Sequence, residues 1–183
     1  MIALDTNILV YAHREESEWH ERAAETVAGL AESAGEWAIP WPCLHEFLAI
    51  VTHPRVFSTP TPLDRALDQV DAWLESPSLV LLAESDESWP YLRELLVQSR
   101  VTGPKVHDAR IAALCIVHAV RELWTADRDF GRFPALAARN PLAELMEVAH
   151  ACVDAKTGRV KIPGFYQDVV EPTKAEIKSF LVS

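Results

Sequence analysis

The sequence predicts an α/β fold, a three-layer α/β/α sandwich with a central, mostly parallel sheet, followed by a short C-terminal extension. Short apolar runs of strand length alternate with longer segments of helical periodicity, and this alternation is typical of βαβ units. The 183 residues are 49% hydrophobic and include only six glycines, so we expect one domain with a substantial core.

The first half of the chain contains three predicted strands. Ile2 to Leu4 is an apolar run that predicts a strand, and Thr6 and Asn7 can cap the helix after it. A second helix is predicted to start at Ser17 and to stop near Gly35. The same signals predict a strand at residues 37–39, a helix over 42–51, a helix over 62–74 and a strand at 79–82.

The second half of the domain returns to the sheet once more. A fifth helix is predicted around residues 89–96, and the Gly103-Pro104 step interrupts the chain. Val106 to Val120 is the most strongly apolar predicted helix. Leu123 to Thr125 then forms a strand, which leads directly into Asp127.

Composition excludes several classes of protein. No apolar run reaches the roughly 20 residues that span a bilayer, and the N-terminus lacks the features of a signal peptide, so we expect a cytoplasmic protein without a membrane segment. The three cysteines are Cys43, Cys115 and Cys152. Their odd number and wide spacing indicate neither a disulfide framework nor a zinc site.

Charge is distributed unevenly along the chain. The formal net charge of −10 argues at first against a nucleic-acid partner. Residues 1–92 carry 16 acidic and four basic side chains, whereas residues 93–139 carry eight basic and five acidic ones. A polyanionic substrate is therefore favoured near the second segment, although solvated helix faces explain these basic residues equally well.

Four acidic residues are the candidate catalytic groups. Asp5 and Asp127 each follow a predicted strand, and in open parallel sheets ligands bind beyond the carboxyl ends of the strands. Glu46 and Asp108 lie on helices with strongly apolar neighbours, which places their carboxylates beside the core. Each acid alone has an ordinary structural explanation as a cap, a turn residue or a surface group.

Together, the four acids predict a metal site. Carboxylates at close quarters repel one another, so such a cluster persists only if cations neutralise it or protons are taken up. Mg²⁺ and Mn²⁺ are hard ions that prefer carboxylate oxygens. We therefore predict Mg²⁺ or Mn²⁺ as the cofactor, with Asp5, Asp108 and Asp127 as metal ligands.

The motifs that contain these acids resemble a known family. Asp-Thr-Asn after an N-terminal strand, a central glutamate, His-Asp-Ala-Arg-Ile-Ala-Ala, and Thr-Ala-Asp-Arg-Asp-Phe followed by Arg-Phe-Pro and Asn-Pro-Leu occur in that order. They resemble the PIN-domain nucleases, specifically VapC-type toxins of bacterial toxin–antitoxin pairs. The match covers about residues 1–142, the predicted nuclease domain.

The resemblance implies a metal-dependent endoribonuclease that is inhibited by a cognate antitoxin and forms a homodimer. By position, Asp5, Glu46, Asp108 and Asp127 fall on the acidic quartet of the family. The polar residues that orient or supplement the quartet correspond to Asn7 and Thr125, and Asp129 is a possible fifth acid. For Asn7 and Thr125, simple roles as helix cap and strand end remain equally open.

The basic residues next to the acids are candidate RNA contacts, namely Arg110, Arg128 and Arg132. For any single one, an ordinary solvated arginine remains the more economical interpretation. His45 and His107 neighbour two of the acids, but adjacent helical residues point about 100° apart, so a ligand role is not expected for either.

The C-terminal extension, residues 143–183, is not required by this fold. The stretch from Val153 to Pro172 resembles an internal piece of di-zinc exopeptidases of the aminoacylase and dipeptidase type, but it is too short to carry their metal site and implies no activity. An Asp-x-x-Thr-Gly turn suggests a hairpin, and Thr173 can cap a short final helix. The sequence leaves open whether the extension packs on the domain, mediates dimerisation or remains mobile, as chain termini often do.

Two alternative functions fit the same residues. The first is a catalytically silent module that binds RNA or a protein through the same fold, although the presence of all four acids weighs against it. The second is a phosphatase that uses Asp5 as a covalent nucleophile, but the second aspartate expected two residues later is here Asn7.

Overall fold

A five-stranded parallel sheet forms the centre of the protein, as seen in a computed structural model that describes residues 1–143. The strands are β1 (Ile2–Leu4), β2 (Trp37–Pro40), β3 (Leu79–Leu82), β4 (Glu122–Trp124) and β5 (Ala138–Arg139). The helices are α1 (Thr6–His13), α2 (His20–Ala31), α3 (Trp41–Val51), α4 (Leu63–Leu74), α5 (Ser88–Gln98) and α6 (Val106–Val117). The predicted hairpin and final helix of the extension lie outside the described residues.

The strand order, β3-β2-β1-β4-β5, creates a point where the chain reverses its direction across the sheet. From β1 the chain moves outward to β2 and β3, and it then crosses back to place β4 on the other side of β1. Ligands bind at such a switch point, at the carboxyl ends of the strands. The residues that follow β1 and β4 therefore become neighbours.

Helices cover both faces of the sheet. The helix α1 packs against both α2 and α3, α3 also packs against α4, and α5 packs against α6. Right-handed crossovers place helices on opposite faces when the chain changes direction along the sheet. The predicted three-layer α/β/α fold is therefore confirmed.

The strands and their flanking helices bury one continuous core. Leu4, Ile39 and Leu123 on the strands are fully buried, as are Phe47 on α3 and Leu114 on α6. The ring of Phe47 also meets the buried ring of Trp73 edge-on, with a centroid separation of 4.9 Å. This core supplies most of the free energy that holds the strand ends in place.

Several predicted element boundaries were wrong. The second helix begins at His20 rather than at Ser17. The last helix ends at Val117 rather than at Val120, because Ala119 adopts a positive φ of 52° that breaks the helix without the usual glycine signal. The last predicted strand is shifted by one residue, and β5 was not predicted because two exposed residues carry no periodic pattern.

Cys43 and Cys115, the cysteines within residues 1–143, are both buried as free thiols. Within residues 1–143, no helix has both the length and the apolar character that a membrane span requires.

Removing the Phe47 ring tests the importance of this core. We expect Phe47→Ala to lower the free energy of unfolding by about 3–5 kcal/mol, because the change leaves a cavity and removes the contact with Trp73. Urea denaturation monitored by circular dichroism measures this loss. Val97→Ala is the matched control: Val97 is 67% exposed, and its truncation should change stability by less than about 0.5 kcal/mol. Equal stability of the two variants would contradict the described packing.

Candidate metal-binding active site

Asp5 lies at the carboxyl end of β1 and is only 4% exposed. It is the N-cap of α1, because its Oδ1 accepts a hydrogen bond of 2.8 Å from the backbone N–H of Thr6. The prediction that Thr6 or Asn7 caps this helix was therefore wrong by one residue. The cap fixes the Asp5 carboxylate at the start of α1.

Two polar side chains fix the second oxygen of Asp5. The Asn7 amide donates to Asp5 Oδ2 at 2.6 Å, and the Thr125 hydroxyl donates to the same atom at 2.6 Å. The Thr125 oxygen in turn accepts hydrogen bonds from the Asn7 amide and from the backbone N–H of Asp127. The segments after β1 and after β4 are thus joined through one buried carboxylate.

Asn7 also bonds directly to the backbone after β4. Its side-chain oxygen accepts a hydrogen bond of 2.9 Å from the N–H of Ala126. Asn7 therefore bonds both to a candidate metal ligand and to the turn that carries Asp127.

Glu46 approaches the same place from α3. Its Oε2 accepts a hydrogen bond of 2.6 Å from the Thr6 hydroxyl. Because Thr6 adjoins Asp5 in the chain, this bond connects the glutamate to the segment after β1. Sequence reasoning treated Thr6 only as a possible cap, and no sequence signal identifies its partner on a distant helix.

Asp108, Asp127 and Asp129 form a compact acidic cluster. One carboxylate oxygen from each lies within 4.8 Å of the others. Asp108 is in the first turn of α6, while Asp127 caps the short 3₁₀ turn Arg128–Arg132 by accepting from the N–H of Asp129 at 2.8 Å. Asp129, predicted as a supplementary acid, thus lies as near to Asp108 as a shared cation requires.

A cleft of about 240 Å³ gathers the four predicted acids. Asp5, Glu46, Asp108 and Asp127 all line it, and they come from four separate segments of the chain. The remaining lining residues are Thr6, Asn7, Val10, Tyr11, Ile50, Ile111 and Phe130. The cleft therefore has acidic groups set against apolar walls.

The environment of the cleft makes the charged form of two acids unfavourable. Burial raises the pKa of Asp5 from 3.8 to about 6. The hydrogen bonds from Thr125 and Thr6 lower this pKa, whereas the negative charges of Glu46 and Asp127 raise it further. Burial also raises the pKa of Asp108, while the Lys105 ammonium opposes that rise. A cation in the cleft would favour both ionised carboxylates.

The residues present fit a divalent metal ion. All the candidate ligands are carboxylate oxygens, the donor type that Mg²⁺ and Mn²⁺ prefer. Burial, with a smaller contribution from the charges of Glu46 and Asp127, raises the pKa of Asp5, and a bound cation would favour its ionised form. Asp5, Asp108, Asp127 and Asp129 are thus the side chains that could hold the ion.

Cys43 lies beside the acids without being able to act as a nucleophile. Its thiol is fully buried and donates weakly to Asp5 Oδ1 at 3.8 Å. Burial raises the pKa of this thiol well above its usual value, and the charge of Asp5 raises it further. The thiolate that nucleophilic catalysis needs is therefore disfavoured.

The predicted RNA contacts differ in their surroundings. Arg110 forms an ion pair with Glu84, and Arg132 lies 3.4 Å from Asp129. Arg128 is exposed on the turn after Asp127. Lys105 pairs with both Asp108 and Asp129. Lys105 was not among the site residues predicted from the sequence, although its spacing of three residues from Asp108 could have indicated the first of these contacts.

A family model for the PIN domain matches residues 2–136 of the chain. Among curated relatives, ribonuclease VapC43 of Mycobacterium tuberculosis is 34% identical over 142 residues, which is 78% of this chain and 96% of the relative. Ribonuclease VapC37 of the same organism is 31% identical over 145 residues, which is 79% of this chain and all of the relative.

Solved structures agree with the fold. VapBC2 of Rickettsia felis, bound to a DNA fragment from its promoter, matches with a TM-score of 0.56 and 26% identity, over 76% of this chain and 98% of the solved chain. VapC20 of Mycobacterium tuberculosis, a toxin that cleaves the sarcin–ricin loop, matches with a TM-score of 0.55 over 72% of this chain and 93% of the other. Its 15% identity supports the fold alone.

The raised pKa of Asp5 gives stability a specific pH dependence. The folded, metal-free protein holds the Asp5 proton up to about pH 6, whereas the unfolded chain releases it near pH 3.8. Asp5 therefore contributes about 3 kcal/mol to the free energy of unfolding when the pH is well below 3.8. This contribution is lost as the pH rises through 6.

Urea denaturation in EDTA between pH 4 and 7.5 measures this loss when wild type is compared with Asp5→Asn. The wild type should lose about 2–3 kcal/mol relative to the variant over this range, since the asparagine keeps the cap but does not titrate. A difference between the two proteins that stays constant with pH would contradict the burial of an ionisable Asp5.

Proposed function

The chain belongs to the PIN domain family, and on that premise we propose that it is a Mg²⁺- or Mn²⁺-dependent endoribonuclease, the toxin of a toxin–antitoxin pair. The observation that carries the proposal is the convergence of Asp5, Glu46, Asp108 and Asp127 on one cleft. Similarity to ribonucleases of the VapC type supports RNA as the substrate. With RNA as its substrate, the protein is also proposed to act in the cytoplasm.

Asp5, Asp108 and Asp127 would hold the metal, with Asp129 close enough to join them. A divalent ion bound there supplies Lewis acidity, which polarises the scissile phosphodiester and makes a water molecule more acidic. Thr125 and Asn7 orient Asp5, because both donate to its Oδ2. Such outer partners keep a ligating carboxylate in a single orientation.

Glu46 has a different role in the proposal. Thr6 occupies its Oε2, and we assign to its Oε1 the task of accepting a proton from the attacking water. The residue lines the cleft from α3. Glu46 is therefore proposed as a general base and not as a metal ligand.

The RNA backbone would lie along the basic residues near the acids. Arg128 and Arg132 are both exposed beside the turn that carries Asp127 and Asp129. Arg110 is engaged with Glu84, so a phosphate would have to compete for it. These contacts would position the phosphodiester over the cleft without reading its sequence.

The phosphatase alternative is disfavoured by the surroundings of Asp5. A phosphatase of this kind needs an acid two residues after its nucleophile to protonate the leaving group. Asn7, two residues later, donates to Asp5 and accepts from Ala126, so it has no proton to transfer to a leaving group.

An antitoxin and a second copy of the chain are the proposed protein partners. The matched Rickettsia felis structure is a VapBC2 complex bound to DNA, and its 26% identity supports a similar partnership here. The antitoxin would block the acidic cleft until it is removed. Sedimentation at micromolar concentration tests the dimer, and a purely monomeric species would contradict it.

Removing a proposed ligand should abolish RNA cleavage. We expect Asp5→Asn and Asp108→Asn to reduce cleavage of single-stranded RNA by more than about 100-fold, since loss of an outer-shell partner alone costs about 10- to 100-fold. Cleavage by the antitoxin-free protein in Mg²⁺ or Mn²⁺ is measured against EDTA. Asp71→Asn, on the exposed side of α4, removes the same charge and should retain activity. Persistent cleavage by both site variants would contradict the proposed site.

The role of Thr125 can be separated from that of the ligands. We expect Thr125→Val to reduce cleavage by about 10- to 100-fold, because the valine cannot donate to Asp5 Oδ2. Thr125→Ser keeps the hydroxyl and should retain most of the activity. Titration with Mn²⁺ should show weaker binding by the valine variant. Equal activity of the valine and serine variants would show that the Thr125 hydroxyl does not position Asp5, and Thr125 would then only end the strand.

A further inference from the structure

Lys105 is held at the entrance to α6 by a constrained segment of backbone. The preceding 3₁₀ turn, Gly103–Lys105, begins at a glycine with a φ of +63°, a conformation that other residues adopt only with strain. Pro104 fixes the next φ angle, and α6 starts immediately afterwards at Val106. The position from which the Lys105 side chain extends is therefore set by the fold.

The Lys105 ammonium reaches two members of the acidic cluster. Its Nζ lies 3.5 Å from Asp108 Oδ2, and it forms a closer ion pair with Asp129 Oδ2. The side chains of Lys105, Asp108 and Asp129 are 42%, 23% and 33% exposed. One half-exposed cation thus bridges an acid on α6 and an acid on the turn after β4.

Arg132 is a second basic residue beside the acidic cluster, and its ion pair with Asp129 is longer and more exposed than that of Lys105. Arg132 lies 3.4 Å from Asp129 Oδ1, and its side chain is 55% exposed. Lys105 contacts two of the three clustered acids, whereas this ion pair of Arg132 involves one. Lys105 is therefore the basic residue positioned to balance the mutual repulsion of the cluster.

A divalent ion needs the same carboxylate oxygens. Mg²⁺ and Mn²⁺ bind carboxylates directly, so an ion shared by Asp108, Asp127 and Asp129 would compete with Lys105 for Asp108 Oδ2 and Asp129 Oδ2. An ammonium kept in contact with those oxygens would also repel the incoming dication. Both effects oppose metal binding while the lysine stays in place.

We propose that Lys105 is a built-in competitor of the catalytic metal, an internal cation that holds Asp108 and Asp129 together until a divalent ion displaces it. The inference rests on the proposed function, because it concerns the regulation of that same site. Lys105 lowers the affinity for metal, and metal binding releases its ammonium from the acidic cluster.

Calorimetric titration of the full-length, antitoxin-free protein with Mn²⁺ tests the proposal. Lys105→Met keeps the unbranched shape of the side chain as far as Cε and removes the ammonium group. It should raise the Mn²⁺ affinity by about tenfold, the scale expected from the loss of two partly exposed ion pairs. Lys105→Gln is a second uncharged variant with the same expectation. Lys105→Arg keeps the charge and should bind Mn²⁺ no more tightly than wild type.

Arg121→Met is the matched control for net charge. Arg121 immediately precedes β4, at the amino end of this strand, whereas the acids lie at the carboxyl ends of the strands. Its side chain is 70% exposed beside Glu122. Its loss should change the Mn²⁺ affinity by less than about twofold. A rise in affinity for the uncharged Lys105 variants alone supports the proposal.

The other outcomes overturn the proposal in distinguishable ways. If wild type binds Mn²⁺ and the uncharged variants bind it equally or more weakly, Lys105 is a structural residue and only this inference fails. If Arg121→Met raises the Mn²⁺ affinity as much as the uncharged Lys105 variants do, the effect comes from the net charge of the protein alone, and the inference is refuted. If neither wild type nor any variant binds Mn²⁺, the proposed metal dependence fails and the inference fails with it.

Discussion

The hydrogen bonding of the buried Asp5 carboxylate is the interaction on which the candidate site depends. Its two oxygens accept from Thr6, Asn7 and Thr125, which joins the end of β1 to the end of β4. The Thr6 hydroxyl then extends the network to Glu46 on α3. Burial makes the charge of Asp5 costly, so the same contacts that position the carboxylate also leave it in need of a cation.

Sheet topology explains how residues remote in sequence can share this site. The chain leaves β1 in one direction and returns to place β4 beside it, so two parallel strands end at the same edge. α3 and α6 start at that edge and contribute Glu46 and Asp108 from their first two turns. The residues of the core beneath the strand ends are buried, and their burial stabilises the fold that keeps the acids close together.

The sequence predicted the fold more completely than it predicted the side-chain contacts of the candidate site. Alternating apolar runs were sufficient for the three-layer sandwich, because burial on both faces of a parallel sheet leaves a strong signal. The end of α6 was missed because Ala119 occupies a position where glycine is the usual signal. Positions at strand ends and on apolar helices indicated the four acids, and the family resemblance supported them. The bonds of Thr6 to Glu46 and of Lys105 to Asp129 join distant segments and become visible only in three dimensions. The catalytic roles of these residues remain predictions.

The most direct test of the account is a crystal structure of the full chain grown with Mn²⁺, with anomalous scattering recorded to locate the ion. The account places an anomalous peak in the cleft, within about 2.5 Å of carboxylate oxygens from Asp5, Asp108 or Asp127. A well-ordered cleft without such a peak at saturating Mn²⁺, or a peak only at a distant surface, would contradict the claim that these acids form one metal site.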